Sequence, residues 1–420
     1  VFMKVGILTY GCSVNKSDSE LMATLLADAG FEPVFESEEP ELLLVNTCIV
    51  KGPTEDKIIR KLQDLQKEGK WVIIAGCMPK AYPKLTDRFR GFAIMGVNSF
   101  DVVEVLRNYL EEGKAKKVRE SKEKVLPKRI RYNKFVDITP ISQGCLGFCS
   151  FCSTKFARGK LVSYKPEKLL DEIRNSVKTG TKEIWLTSQD NGCYGFDIGT
   201  NLAELLKQVV EIPGDFKVRV GMMNPQHLKG FLDDLVEVYK NEKVFKFAHI
   251  PVQSGSDNVL KEMKRGYTVK DFEEIVSKFR KAMDLTVSTD IIVGYPTETD
   301  RDFNETLEFL KHMQPDFLNL SKYWPRKGTV AGEMKQLPRD VIAARSKKVA
   351  ELYSKTLKGK SKAWIGRTCS VTFTEERDGY SIGRNSLYKP VLVKGKSLLG
   401  RTHMVMITNA HKSELFGEVV

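Results

Sequence analysis

Between residues 3 and 112, short apolar runs alternate with stretches whose apolar positions recur every three or four residues. The runs cover 3–9, 42–46, 71–75 and 92–95, and the helical patterns cover 17–30, 53–68, roughly 81–89 and 99–112. Such alternation predicts an α/β domain, a doubly wound parallel sheet with helices on both faces. A basic stretch at 113–134 reads as a linker, in which Pro127 discourages a continuous helix. Six more strand–helix units follow, with strands at 135–142, 183–188, 216–223, 245–253, 286–293 and 317–324. Pro225, Pro251, Pro296 and Pro325 stand at or near the exits of the last four. Six such units in succession predict a parallel, partial (β/α)6 barrel whose loops at the strand C-termini line the site. After a Lys/Arg-bearing amphipathic helix at 338–358, β-rich segments at 367–373, 388–394, 401–408 and 415–419 are separated by Gly turns. They predict a small antiparallel β-barrel. The expected division is 1–112, the linker 113–134, the barrel 135–357 and the small domain 358–420.

Cysteine placement adds chemistry to this frame. Cys145, Cys149 and Cys152 form a C-x3-C-x2-C loop that contains Gly144 and Gly147 and follows the first barrel strand. Three thiolates can close three corners of a cubane iron–sulfur cluster and leave one iron open. A structural zinc site or a ferredoxin run would need a fourth ligand nearby, and none is there. Three other cysteines, Cys12, Cys48 and Cys77, each end a strand of the first domain. The ligand crevice of an open α/β sheet lies at the carboxyl ends of its strands, so these three should meet as a second three-thiolate site. Cys193 and Cys369 read as structural, and none of the five histidines pairs at a metal-ligand spacing.

The net charge of +13 is unevenly distributed. Residues 113–134 hold ten Lys/Arg against two Asp/Glu, and residues 356–420 hold eleven against five. Excess charge in these two segments suggests a polyanion footprint, with nucleic acid the obvious candidate. On the small barrel the candidate RNA contacts are Arg367, Arg384, Lys389, Lys394, Lys396 and Arg401, with Tyr380 and Tyr388 between them. No apolar run reaches the roughly 18 residues that span a bilayer, and wide, irregular cysteine spacing argues against a secreted disulfide framework. A cytoplasmic protein without membrane contact is expected.

The cysteine loop and its tail, Ser153-Thr154-Lys155-Phe156-Ala157-Arg158-Gly159, resemble the radical S-adenosylmethionine (SAM) enzymes, and within them the tRNA methylthiotransferases. The resemblance covers the whole chain, and the last domain is similar to the TRAM domains of tRNA-modifying enzymes. It implies SAM and two 4Fe–4S clusters as cofactors. One cluster would reduce SAM to a radical that takes hydrogen from C2 of a target adenine, and the second would hold the sulfur that replaces it. It further implies that Ser188, Gln189 and Asp190 approach the amino-acid part of SAM. Gln253 and Ser254 would approach the ribose, and Phe151, Ile292 and Val293 the adenine. The tail is most similar to the subgroup acting on N6-threonylcarbamoyladenosine at tRNA position 37, in the anticodon stem-loop. Such chemistry needs an electron donor of flavodoxin or ferredoxin kind, whose identity the sequence does not give. Isopentenyladenosine and a ribosomal-protein aspartate are the alternative targets of related enzymes. A non-catalytic iron–sulfur RNA-binding protein is the alternative outside the class.

Overall fold

The computed structural model describes residues 3–120, 124–125, 129–395 and 398–420. Its first sheet has six parallel strands: Lys4–Thr9, Glu32–Phe35, Leu42–Thr47, Trp71–Gly76, Ala93–Met95 and Lys116–Lys117. Numbered in chain order, they lie as 2-1-3-4-5-6. The central strand Leu42–Thr47 is buried along its whole length, as a strand covered by helices on both faces must be. In this order the topological switch falls between the first and third strands, which is where doubly wound sheets bind ligands. Cys12 follows the first and Cys48 the third.

The second unit carries six parallel strands in two arcs. Val136–Pro140, Glu183–Thr187 and Lys217–Val220 make one, and Phe247–His249, Thr286–Val293 and Phe317–Lys322 the other. They meet where Val218 bridges Val244 and the Met223 N–H donates to the His249 carbonyl at 2.9 Å. Helices cover the outside, several with designed starts. Thr268 with Asp271 and Thr299 with Asp302 form capping boxes, and Pro166 occupies the first turn of Pro166–Lys178.

The last unit is a closed five-stranded barrel that includes an unanticipated strand, Tyr380–Asn385. Its pairs are antiparallel except Pro390–Lys394 against Glu414–Val419, which run parallel. This barrel seals the end of the partial barrel at which the strands begin. Tyr388 inserts between Phe245 and Phe247, with ring centroids 4.9 and 4.8 Å away. The Lys246 N–H donates to the Ser386 carbonyl at 2.8 Å. Gly400 lies so close to Phe135 that a Cβ would come within 2.5 Å of the ring.

The linker differs from the solvated basic footprint expected of it. Lys124 is buried against Asp18 at 2.5 Å, Arg129 is buried against Glu172 at 3.0 Å, and Arg131 faces Asp137 at 3.3 Å. These cations hold the helix Ser13–Asp28 of the first unit to the helix Pro166–Lys178 of the second. Pro127 and Lys396 lie outside the described residues.

Candidate active site

All six cysteines of the two three-cysteine sets line one cavity of about 390 Å³, at the carboxyl ends of both parallel sheets. Cys12 is exposed, Cys48 and Cys77 are buried, and Cys145, Cys149 and Cys152 are half-buried. Gly11 and Gly144 shape the two loops. A Cβ on Gly11 would lie 2.6 Å from the Cys48 sulfur, and one on Gly144 would lie 1.9 Å from the Lys160 carbonyl oxygen. Both residues also have positive φ, +111° and +76°, so only glycine suits either place.

One buried arginine serves each set. Arg265 donates to Cys149 Sγ at 3.0 Å, to Asn224 Oδ1 at 3.0 Å and to the Tyr267 hydroxyl at 2.9 Å. Arg158 donates to Cys77 Sγ at 3.4 Å and to Asn15 Oδ1 at 2.8 Å, and pairs with Asp18 at 2.8 Å. Asn15 sits in the first turn of Ser13–Asp28, so its side chain and the positive helix end both face the Cys12 set. Its amide donates to the carbonyls of Tyr10 and Thr47 at 2.8 and 2.9 Å, locking two strand ends together.

The donor sets fit iron–sulfur clusters better than single ions. Zinc holds sulfur at about 2.3 Å, which brings two tetrahedral thiolates within about 3.8 Å of each other. Among the described residues the trio with ligand atoms mutually within 4.8 Å is Cys145, Asp190 and Cys193, so neither three-cysteine set is drawn that tightly. Burial pushes the Cys48 thiol up to about 12, with Cys77 and Cys152 raised for the same reason. Thiolates form at such positions when a metal takes the place of the proton. Cys145 is shifted down, chiefly by a hydrogen bond from Cys193.

The residues expected around SAM divide into two groups. Phe151, Ser188, Gln189, Asp190 and Gln253 line the cavity. Gln189 also accepts the Gly144 N–H at 2.6 Å, which fastens the cysteine loop to the second strand. Asp190 Oδ1 accepts the N–H groups of Gly192 and Asn224 at 2.9 and 3.0 Å. Gln253 adopts φ +74°, held by backbone hydrogen bonds to Asp290 and Ile292. Ile292 packs beside Phe151 in an apolar cluster with Met263 and Tyr295. Ser254 and Val293 are corrections. Ser254 is buried against Thr306 at 3.3 Å, and Val293 belongs to the core between strands and helices. Alternation along Thr286–Val293 turns Val293 to the side opposite Ile292, and Ser254 follows the positive-φ Gln253 in a loop.

Two of the candidate RNA contacts are corrected in the same way. Arg384 is half-buried against Tyr388, 5.1 Å from its ring centroid, and Lys389 pairs with Asp316 at 3.5 Å and lies over Phe317. Both serve the junction between the barrels. Arg367, Lys394 and Arg401 are exposed.

Sequence reasoning passed over Arg219, His249 and Arg265 and gave Asn224 and Asp290 no role beyond their strand ends; all five line the cavity. His249 Nε2 lies 3.1 Å from Asp290 Oδ1, which also accepts from Asn319 at 2.7 Å. Arg219, His249 and Asp290 occupy inward positions of separate strands and Asn224 and Arg265 lie in loops beyond strands, so no spacing within the chain links them.

The Radical SAM superfamily profile matches residues 139–310, and that of Uncharacterized protein family UPF0004 matches residues 4–95. A Pyrococcus abyssi protein named probable threonylcarbamoyladenosine tRNA methylthiotransferase is 42% identical over 426 residues, covering 100% of both chains. The chain belongs to the threonylcarbamoyladenosine tRNA methylthiotransferase family. The human methylthiotransferase of that name is 38% identical, the alignment spanning 99% of this chain and 74% of the human one. The Drosophila melanogaster methylthiotransferase is 39% identical across 99% and 78%. Among solved structures, the radical SAM methyltransferase TsrM from Kitasatospora setae has a TM-score of 0.56 at 14% identity, over 79% of this chain and 77% of that one. That likeness shows the shared α/β radical SAM fold. Radical SAM methylthiotransferases work with SAM and two 4Fe–4S clusters.

Proposed function

We propose that this chain methylthiolates C2 of N6-threonylcarbamoyladenosine at position 37, in the anticodon stem-loop of tRNA. The observation that carries the reading is the single cavity reached by six cysteines from two sheets. Hydrogen removal and sulfur attachment must act on one carbon, and a shared cavity lets both groups reach it without release of the substrate. Cys145, Cys149 and Cys152 would hold the cluster that faces SAM, and Cys12, Cys48 and Cys77 the second. When bound, these groups supply a radical able to take an aromatic hydrogen, and the sulfur that replaces it.

The chain's own residues position and shield. Gln189 fixes the cysteine loop through Gly144, and Arg265 and Arg158 place a cation beside each set of thiolates. Phe151 and Ile292 offer an apolar wall to an adenine ring. Arg367, Lys394 and Arg401 offer phosphate contacts, which position an RNA without reading its sequence. An external one-electron donor, of flavodoxin or ferredoxin kind, and a cytoplasmic setting complete the proposal. Among the described residues no helix is long and apolar enough to cross a membrane.

Nucleoside mass spectrometry of tRNA from a deletion strain tests this. The 2-methylthio form of threonylcarbamoyladenosine should vanish, its unmethylthiolated precursor should accumulate, and the cloned chain should restore the product. Retention of that nucleoside, with loss of methylthiolated isopentenyladenosine or ribosomal-protein aspartate, would reassign the substrate. Failure of the reduced protein to cleave SAM would leave only a binding role.

A further inference from the structure

Lys155, Arg158, Arg219 and Arg265 line the cavity, and they differ in what holds them. Arg158 is engaged by Asp18, Asn15, Gln143 and Cys77, and Arg265 by Cys149, Asn224 and Tyr267. Lys155 is half-buried over the ring of Phe156. Arg219 stands apart. Its guanidinium carbon lies 5.4 Å from the ring centroid of Trp185 and 5.5 Å from those of Phe247 and Tyr388. Among the described residues no oxygen accepts from it and no carboxylate pairs with it, and its Nε is shut off from solvent without an acceptor. Aromatic faces attract the charge, but they leave the in-plane N–H groups of a guanidinium without the oxygen acceptors its fork geometry suits.

Arg219 also lies at the right depth. It belongs to the strand Lys217–Val220, two residues before the cavity-lining Gly221, with Tyr388 of the last barrel beneath it. The nearby acid Asp290 is already matched by His249 and Asn319. The cavity floor therefore presents one unmatched planar cation, a complement to an anionic, planar, two-oxygen group.

We infer that Arg219 receives the carboxylate of the amino-acid substituent on N6 of the target adenine. The inference rests on the substrate proposed above. A threonylcarbamoyl group ends in a carboxylate, whereas an isopentenyl group has no polar atom. Arg219 thereby separates the two base classes, since an apolar substituent would cover the half-buried guanidinium and leave it without an acceptor.

The test uses reconstituted holoenzyme and two anticodon stem-loops, one carrying N6-threonylcarbamoyladenosine and one its threoninol analogue, with CH2OH in place of the carboxylate. Methylthio product gives kcat/KM for each, and Kd for the same pair is measured without reductant. Wild type should favour the carboxylate by about 10- to 100-fold in both readouts, the range for a hydrogen bond between charged groups. Arg219→Gln should erase most of that ratio and Arg219→Lys should keep part of it. A merely structural role would lower both substrates alike in Arg219→Gln and leave the ratio intact, which overturns the proposal. So would a ratio that survives Arg219→Gln and collapses in Lys155→Gln. Equal use of both stem-loops by wild type overturns it while the substrate assignment stands. Product from neither stem-loop removes that assignment, and this inference with it.

Discussion

Arg158 Nε lies 3.4 Å from Cys77 Sγ, joining the tail of the barrel's cysteine loop to a strand end of the other sheet. The same guanidinium meets Asp18 and Asn15, so the segment that most resembles the family signature is also the joint between the two halves of the site. Burial draws Arg158 and Asp18 out of water together, and that is favourable only while each keeps its partner.

Arg158→Met should therefore destabilise the protein by about 3 kcal/mol or more, since it leaves Asp18 buried with Lys124 as its remaining cation. Urea midpoints of the cluster-free protein measure it. A loss below about 1 kcal/mol would mean that Lys124 alone satisfies Asp18.

Stability should fall as pH rises from about 5 to about 8. Burial, followed by the neighbouring Asp137, pushes Glu20 up to about 8, and burial pushes Glu172 up to about 8 even with Arg129 beside it. Three acids, Glu20, Asp137 and Glu172, share the cations Arg129 and Arg131, so a retained proton balances the charge. Over this window the folded chain binds more protons than the unfolded one, whose glutamates titrate near 4.5. The stabilisation is complete below that value and is lost as pH climbs through the folded one. Denaturation midpoints at pH 5.5, 7 and 8.5 should descend, and Glu20→Gln should flatten the descent. A rise across the same range would reverse the assignment.

Cys193→Ala should keep the iron of both clusters. Its thiol proton is shared between the Cys145 sulfur and the Asp190 carbonyl, 3.2 Å away, and each set has three thiols without it. Replacing Cys145, Cys149 and Cys152 together with Ala should roughly halve the iron and abolish SAM cleavage. The Cys12, Cys48 and Cys77 triple variant should also lose half the iron, yet still form 5′-deoxyadenosine without methylthio product. Iron and acid-labile sulfide assays, with product mass spectrometry, separate these cases. Full methylthiolation by the last variant would make those cysteines structural.

Substitution of Arg367, Lys394 and Arg401 by Ala should weaken tRNA binding and flatten its salt dependence by about 0.7–0.9 in log–log slope for each phosphate no longer neutralised. Arg384→Ala should act on thermal stability instead, because its partners are Tyr388 and the barrel junction. An unchanged salt slope in the triple variant would move the RNA surface elsewhere.

Local patterns made much of this architecture legible. The C-x3-C-x2-C loop is contiguous, the last four barrel strands are apolar runs with prolines at or near their exits, and Cys12, Cys48 and Cys77 recur at equivalent strand ends. What escaped has common physical causes. Glu32–Phe35 is a largely half-buried edge strand containing a proline, and Lys116–Lys117 is a two-residue strand inside a basic run, so neither shows the apolar signature of a strand. Lys124 and Arg129 looked solvated because their acids lie on helices distant in the chain. Arg219 and His249 are single inward residues, and only strand register brings them to one cavity.

The seating of Tyr388 against Phe245 and Phe247 bears on how the last sixty residues evolve and function. They form a module in the linear order of the chain, yet in space they are the stopper of the vessel that holds the chemistry. Cutting them away would uncover aromatic rings and open the floor beneath Arg219 to water, so the proposed phosphate contacts and the closed end of the barrel would be lost together. Selection on one task constrains the other, and a lineage that exchanged this domain would have to keep an aromatic plug at its base.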